Sequence, residues 1–132
     1  MAKAKRKRIP DVNERVPNIH EWILTNNLKN EKGDQIEFFS HPFLFDIYKD
    51  QAQNLTVMKA AQVGMSTAQI LRDHFAARNT KMDLIYTLPT DGDVRTFVSG
   101  KVNRIIANNP SMIADVADKD SIEQKQIGGS MI

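Results

Sequence analysis

Apolar residues follow two kinds of pattern along this chain, and the change comes near residue 54. Upstream, Ile19, Trp22 and Ile23 recur at helical spacing behind Asn18, a residue type that caps helix starts, and predict a short helix that fades into the Gly- and Asn-rich loop "NNLKNEKGDQ". "IEFFSHPFLFDIYKDQ" reads as a short extended piece, a break at Pro42, and a helix with Leu44, Ile47 and Tyr48 on one side. Downstream, "NLTVMKA" and "MDLIYTL" are apolar runs of the kind that suit strands buried on both faces. Between them, residues 66–78 repeat helically with Ala68, Leu71 and Phe75 on one face. Thr90 stands three before Asp93, a capping-box spacing. Val94, Phe97, Val98, Lys101, Val102, Ile105 and Ile106 then keep the helical repeat until Asn108, Asn109 and Pro110 stop it. A short helical segment is expected over 111–117, followed by a charged turn and a last strand in "EQKQIGGSMI".

Strand, loop, helix, strand, loop, helix, strand is the order of an α/β unit with a parallel sheet and flanking helices. Residues 1–17, with Pro10 and Pro17 and little apolar content, are expected to be a flexible basic arm, residues 18–53 a helical and extended lead-in, and residues 54–132 the α/β part. The last strand ends at Ile132 without a turn, cap or polar exit, so the α/β part is expected to be incomplete and part of its sheet exposed.

Charge sharpens this division. Lys3, Lys5, Arg6, Lys7 and Arg8 are five of the eighteen basic residues, which leaves thirteen against sixteen acids, a net −3, for everything after them. The basicity is therefore a tail, able to hold nucleic-acid phosphates with a strength that falls as salt rises, or simply to solubilise a terminus. The absence of cysteine excludes disulfides and thiolate metal sites, and His20, His41 and His74 share no metal-ligand spacing. Nothing approaches eighteen consecutive apolar residues, so no membrane partner is expected.

The stretch with chemical content is "VMKAAQVGMST", residues 57–67. A phosphate loop works because backbone N–H groups at a helix N-terminus converge on an anion and share the positive end of the helix dipole. Its usual form is G-x-x-x-x-G-K-[ST], with the lysine on the outer phosphates and the hydroxyl on magnesium. Here Gly64 matches the second glycine, Ser66 the hydroxyl residue, and Thr67 adds another. Lys59 stands where the first glycine would be and Met65 where the lysine would be. Ala60 and Ala61 are small enough for the backbone to curl around an oxyanion, and Lys59 is the natural replacement cation. An ordinary strand-to-helix connection, with Gly64 at a tight turn and Ser66 as cap, would use the same residues.

The order "HPFLFDIYKD", "VMKAAQVGMST" and "IYTLPTDGDVRTFVSGKVNRIIANNP" resembles the N-terminal part of the large terminase subunit of tailed bacteriophages, over roughly residues 19–132. The resemblance is to the lambda-like branch in particular, whose phosphate loop also begins with a lysine and lacks the later one. It implies a RecA-like P-loop ATPase domain followed by a nuclease domain. Together these make an ATP-driven motor that packages double-stranded DNA and cleaves its concatemers in the host cytoplasm. The implied partners are a small terminase subunit, a portal and further copies of the motor subunit, and the implied cofactors are ATP and Mg2+.

Residue by residue, the resemblance makes Lys59 catalytic. It assigns Lys59, Ala60, Ala61, Gln62, Val63, Gly64, Met65, Ser66 and Thr67 to ATP, with Ser66 facing magnesium. Gln62 departs from the family, many members of which carry an arginine there. Phe43, Phe45 and Tyr48 fall where relatives grip adenine, although aromatics at this spacing are commonly core. Lys3, Lys5, Arg6, Lys7, Arg8, Arg95, Lys101 and Arg104 are the DNA-contact candidates, a solvated helix face being the plainer reading of the last three. Pro89 and Thr90 end an apolar run where open α/β sheets place ligands.

A second ATPase motif, an apolar run ending in Asp-Glu, is approached only by "FLFD" and "MIAD", both in helical neighbourhoods, and no nuclease carboxylates are identified. The 132 residues alone are thus expected to bind nucleotide weakly and not to turn it over. Two other readings use the same residues: another P-loop ATPase such as a RecA-like helicase, and a small non-enzymatic DNA-binding protein with a basic arm.

Overall fold

The computed structural model describes residues 18–121, 123–127 and 130–132, and the arm expected over 1–17 lies outside them. Asn18 starts the first helix as its composition requires: its backbone is extended and its Oδ1 accepts from the His20 N–H at 2.9 Å. Helix α1 (Ile19–Thr25) buries Ile19, His20, Trp22 and Ile23. The loop after it folds back on itself at the Lys29–Gln35 bridge, and Asn30 Oδ1 accepts from the Lys32 and Asp34 N–H groups across the turn. Helix α2 (Phe43–Lys49) turns Leu44 and Tyr48 inward.

Helix α3 (Met65–Thr80) is the axis of the molecule. It buries Thr67, Ala68, Ile70, Leu71, His74 and Ala77 and stops at Lys81, whose φ of 53° is left-handed. The helix expected after Thr90 forms as three continuous pieces. Helix α4 (Asp91–Phe97) has the capping box, with the Asp93 N–H donating to Thr90 Oγ1 at 3.1 Å and that hydroxyl donating to Asp93 Oδ2 at 2.7 Å. A π-helical turn over Val98–Val102 follows, then helix α5 (Asn103–Asn108). Ser99 Oγ donates to the Arg95 carbonyl at 2.7 Å beside the wide turn, the kind of back-bond that bends a helix. Pro110 at the start of α6 (Pro110–Asp115) costs no hydrogen bond, because that N–H has no partner in a helix.

These helices share one core of Ile19, Trp22, Ile23, Leu28, Leu44, Tyr48, Ala68, Ile70, Leu71, Ile105 and Met112. Buried Asn109 joins its two ends: it accepts from the Lys29 N–H at 2.7 Å and donates to the carbonyls of Lys29 and Ile105 at 2.8 and 2.7 Å. The described ladders are antiparallel, β1 (Val116–Asp120) with β2 (Lys125–Ile127) and β2 with β3 (Ser130–Met131). Ser130 Oγ donates to the Ala77 carbonyl at 3.1 Å and ties this sheet to α3.

The two apolar runs expected as parallel strands belong to no strand among the described residues. Residues 51–60 are all exposed, with Met58 at 100%, and Ile85 is exposed at 90%. One backbone hydrogen bond, from the Leu84 N–H to the Met131 carbonyl at 2.8 Å, links the second run to β3. A strand buried on both faces needs neighbours on both edges and helices on both sides, and none among the described residues supplies them.

Candidate phosphate-binding loop

The loop is shaped by two left-handed residues. Gln62 has φ 55° and Gly64 φ 82°, and between them the chain turns from the exposed run into α3. Glycine is required at the second position for two reasons. The left-handed backbone disfavours a side chain, and a Cβ there would stand 3.1 Å from Leu44 Cδ1, so α2 packs directly under the turn. Gly64 is the N-cap and offers no side chain to the first turn, and the Ala68 N–H is the first to close onto its carbonyl, at 2.9 Å. The N–H groups of Met65, Ser66 and Thr67 thus lie in the turn where a helix has no carbonyls of its own to offer. Ser66 is not the cap that an ordinary connection would use; it lies inside the helix and is half-buried.

The two hydroxyls of the loop differ. Thr67 is buried, and its Oγ1 donates to Glu31 Oε2 at 3.0 Å, while Ser66 Oγ makes no hydrogen bond among the described residues. Lys59 is exposed, and its Nζ reaches the Ala60 carbonyl at 3.2 Å, so the ammonium already curls over the loop's entry. Ala60, Ala61 and Gln62 are exposed beside it, whereas Val63 and Met65 are half-buried, Met65 against the core. This donor set fits phosphate: convergent N–H groups, a helix dipole and one mobile cation. Ser66 is the one loop hydroxyl free to face a magnesium ion, which takes most of its remaining oxygens from phosphate and water.

The aromatic candidates separate. Tyr48 is a core residue at 4% exposure, and burial pushes its hydroxyl pKa upward. Phe45 is stacked on His20 with ring centroids 3.9 Å apart, and Lys49 Nζ lies 5.4 Å from its ring centre. His20 Nε2 is 2.8 Å from the Phe45 carbonyl, so this stack is pinned from below. Phe43 remains about half exposed at the start of α2, in edge contact with His41.

The basic candidates separate too. Arg95 is exposed and paired to Asp91 at 2.9 Å, and Arg104 is exposed without an ion pair among the described residues. Lys101 differs from them: its side chain is partly exposed, and from the π-helical turn its Nζ comes to 3.9 Å from Glu31 Oε1. Lys3, Lys5, Arg6, Lys7 and Arg8 lie outside the described residues. "FLFD" and "MIAD" are helical, as expected. Asp46 pairs with Lys49 at 3.2 Å, and Asp115 is held by His74 at 3.0 Å and Arg78 at 3.5 Å.

Sequence reasoning missed Glu31, because it sits in a loop thirty-six residues from Thr67 and no spacing rule links the two. It also missed Asp73, whose carboxyl lines an apolar cavity of about 310 Å³ with Tyr86, Phe97 and Ile106, away from the loop. Burial pushes the Asp73 carboxyl up to about 6, against the opposing pull of its hydrogen bond from Gln69 and of the Arg72 charge.

The family model of the phage terminase large subunit gpA, ATPase domain, matches residues 41–132, a stretch that takes in α2, the loop and everything after it. No curated protein and no solved structure matches the chain. Among the described residues no helix is long and apolar enough to cross a membrane.

Proposed function

The chain belongs to the phage terminase large subunit gpA family through its ATPase domain, and from that premise we propose that residues 59–67 are the ATP-binding loop of a DNA-packaging motor. The single observation that supports this most is the turn itself. Left-handed Gln62 and Gly64 lead into the free first turn of a sixteen-residue helix, with Lys59 curled over the entry. In this reading Lys59 neutralises charge developing on the terminal phosphate, the α3 N-terminus and the N–H groups of Met65 and Ser66 hold the inner phosphates, and Ser66 faces magnesium. Bound magnesium supplies charge neutralisation across the outer phosphates. Phe43 and Phe45 are the exposed aromatics of α2, and Phe43, whose ring is not stacked on His20, is the proposed contact to the base.

The wider reading follows the family. The runs 54–60 and 82–88 are proposed as inner strands of a RecA-like parallel sheet. Packaging of double-stranded DNA, a companion small subunit, a portal, a ring of motor copies and a separate nuclease activity belong to the same proposal. The basic arm and exposed Arg104 are its DNA contacts, non-specific because phosphate contacts carry no sequence information. No Asp-Glu motif stands among these 132 residues, so the chain alone is expected to bind MgATP without turning it over.

The test is Lys59→Ala against Met65→Ala. In a packaging-competent protein carrying this region, Lys59→Ala should lower ATP hydrolysis by about a hundredfold or more, the size of one lost charge-stabilising contact. Met65→Ala removes no donor or charge and should do much less. Parental hydrolysis in a normally folded Lys59→Ala protein would reduce the loop to a simple connection.

A further inference from the structure

The phosphate loop has a carboxylate behind it. Glu31 Oε2 accepts from the Thr67 hydroxyl at 3.0 Å, within the first turn of α3, and the side chain of Glu31 is 20% exposed. The two residues before it are held by the end of α5. Asn109 clamps both the N–H and the carbonyl of Lys29, and Asn108 Nδ2 donates to the Asn30 carbonyl at 2.9 Å. A negative charge so close to a helix N-terminus stabilises the helix but repels any anion that the same terminus is built to hold. Its other oxygen, Oε1, lies 3.9 Å from Lys101 Nζ. Lys101 is delivered there by the π-helical turn at Val98–Val102, a kind of local widening that recurs at functional positions.

We propose that Glu31 and Lys101 are a positioning and charge-balancing pair for the phosphate loop: Glu31 takes the Thr67 hydroxyl out of competition with Ser66, and Lys101 cancels the Glu31 charge that would otherwise oppose phosphate. The inference rests on the reading of residues 59–67 as the ATP loop. It also moves Lys101 from a DNA-contact candidate to a residue of the nucleotide site. The pair explains how the loop tolerates an acid beside it while lacking a lysine at Met65 and an arginine at Gln62.

The experiment measures binding of a fluorescent ATP analogue with Mg2+ by the 132-residue chain, at low and high salt, with thermal unfolding of each variant alongside. Lys101→Ala exposes the carboxylate and should weaken binding about fivefold, the scale of a partly exposed charge contact. Glu31→Gln keeps an acceptor for Thr67 but leaves Lys101 unbalanced, and should tighten binding by a similar factor. In the Glu31→Gln background Lys101→Ala should cost much less than it does in the parent, because no carboxylate is left for it to expose, and all these differences should shrink at high salt. Glu31→Ala removes the acceptor as well as the charge and should bind more weakly than Glu31→Gln, a gap that separates positioning of Thr67 from charge alone. Unchanged binding in Lys101→Ala overturns the pairing. So does an equal loss from Lys101→Ala in the parental and Glu31→Gln backgrounds, since Lys101 would then act without Glu31. Lys59→Ala keeps the two proposals apart: if it binds the analogue as the parent does, the nucleotide reading itself fails. If it loses binding while the Glu31 and Lys101 variants match the parent, only the pairing fails.

Discussion

The helical body and the two runs that enter and leave α3 both carry large apolar residues, with opposite fates. Leu71 and Ile105 are at 0% exposure, while Met58 is at 100% and Ile85 at 90%. A helix satisfies its own backbone hydrogen bonds and needs only one neighbour for its apolar stripe. A strand needs partners on both edges and cover on both faces, and these come from elsewhere in the chain or from another chain. Burial in this molecule therefore follows the range over which partners must be found.

The comparison breaks most sharply at Leu71. Leu71→Ala removes a fully buried side chain between α3 and the rest of the core and should cost about 3 kcal/mol in denaturant unfolding. Met58→Ala and Ile85→Ala should each stay within about 0.5 kcal/mol of the parent, since they remove side chains already in water. A loss at Ile85 as large as that at Leu71 would mean that the second run is paired and covered in solution, and the contrast would be void.

Asn109 tests the same contrast on the polar side of the body. Three hydrogen bonds converge on its side chain, which is 1% exposed, and they join the turn after α1 to the end of α5. Asn109→Ala leaves the Lys29 N–H and two carbonyls without that partner and should cost about 2 kcal/mol. Because the Lys29–Gln35 turn carries Glu31, the same change should also loosen the Thr67 contact, which amide exchange in the first turn of α3 would report.

What could be read from the sequence follows the same line. The Asn18 cap, the Thr90–Asp93 capping box, the α3 repeat and the break at Asn109 and Pro110 were visible because cap, period and breaker lie within a few residues of one another. The loop was visible as a spacing, and Gly64 as its turn residue, but the division of labour between Ser66 and Thr67 was not, since it depends on Glu31. Tyr48 and Phe43 carry the same local signal in one short helix, and only packing decides that one is core and the other open. The π-helical turn was hidden inside an uninterrupted apolar repeat. Its consequence, the turn of Lys101 toward Glu31, belongs to geometry that no periodicity encodes.

The seam between the two regions supplies the smallest effect. Asp73 lies on α3, and its burial pushes the carboxyl up to about 6, while burial first and the charge of Asp73 second raise the Tyr86 hydroxyl on the neighbouring run. One residue along, His74 is shifted the other way: burial lowers it, with Asp115 opposing and Arg78 adding to the depression. The signs are opposite for stability. Asp73 binds its proton more tightly folded than unfolded, so its contribution is present below the ordinary carboxylate value of 3.8 and is lost as pH rises towards about 6. His74 binds its proton less tightly when folded, so its contribution is present above 6.5 and is lost as pH falls through its depressed value. Between about 4 and 6 the two slopes oppose each other, and the parent should show a shallow dependence there. Asp73→Asn removes one slope. At pH 7 it should stabilise the chain by about 1 kcal/mol, allowing for the solvent that reaches this half-buried group. On acidification from 6.5 it should lose stability more steeply than the parent, as the loss at His74 is no longer offset. Parallel pH profiles for parent and Asp73→Asn would mean that Asp73 is solvated, and that the seam between the helical body and the second run is open to water.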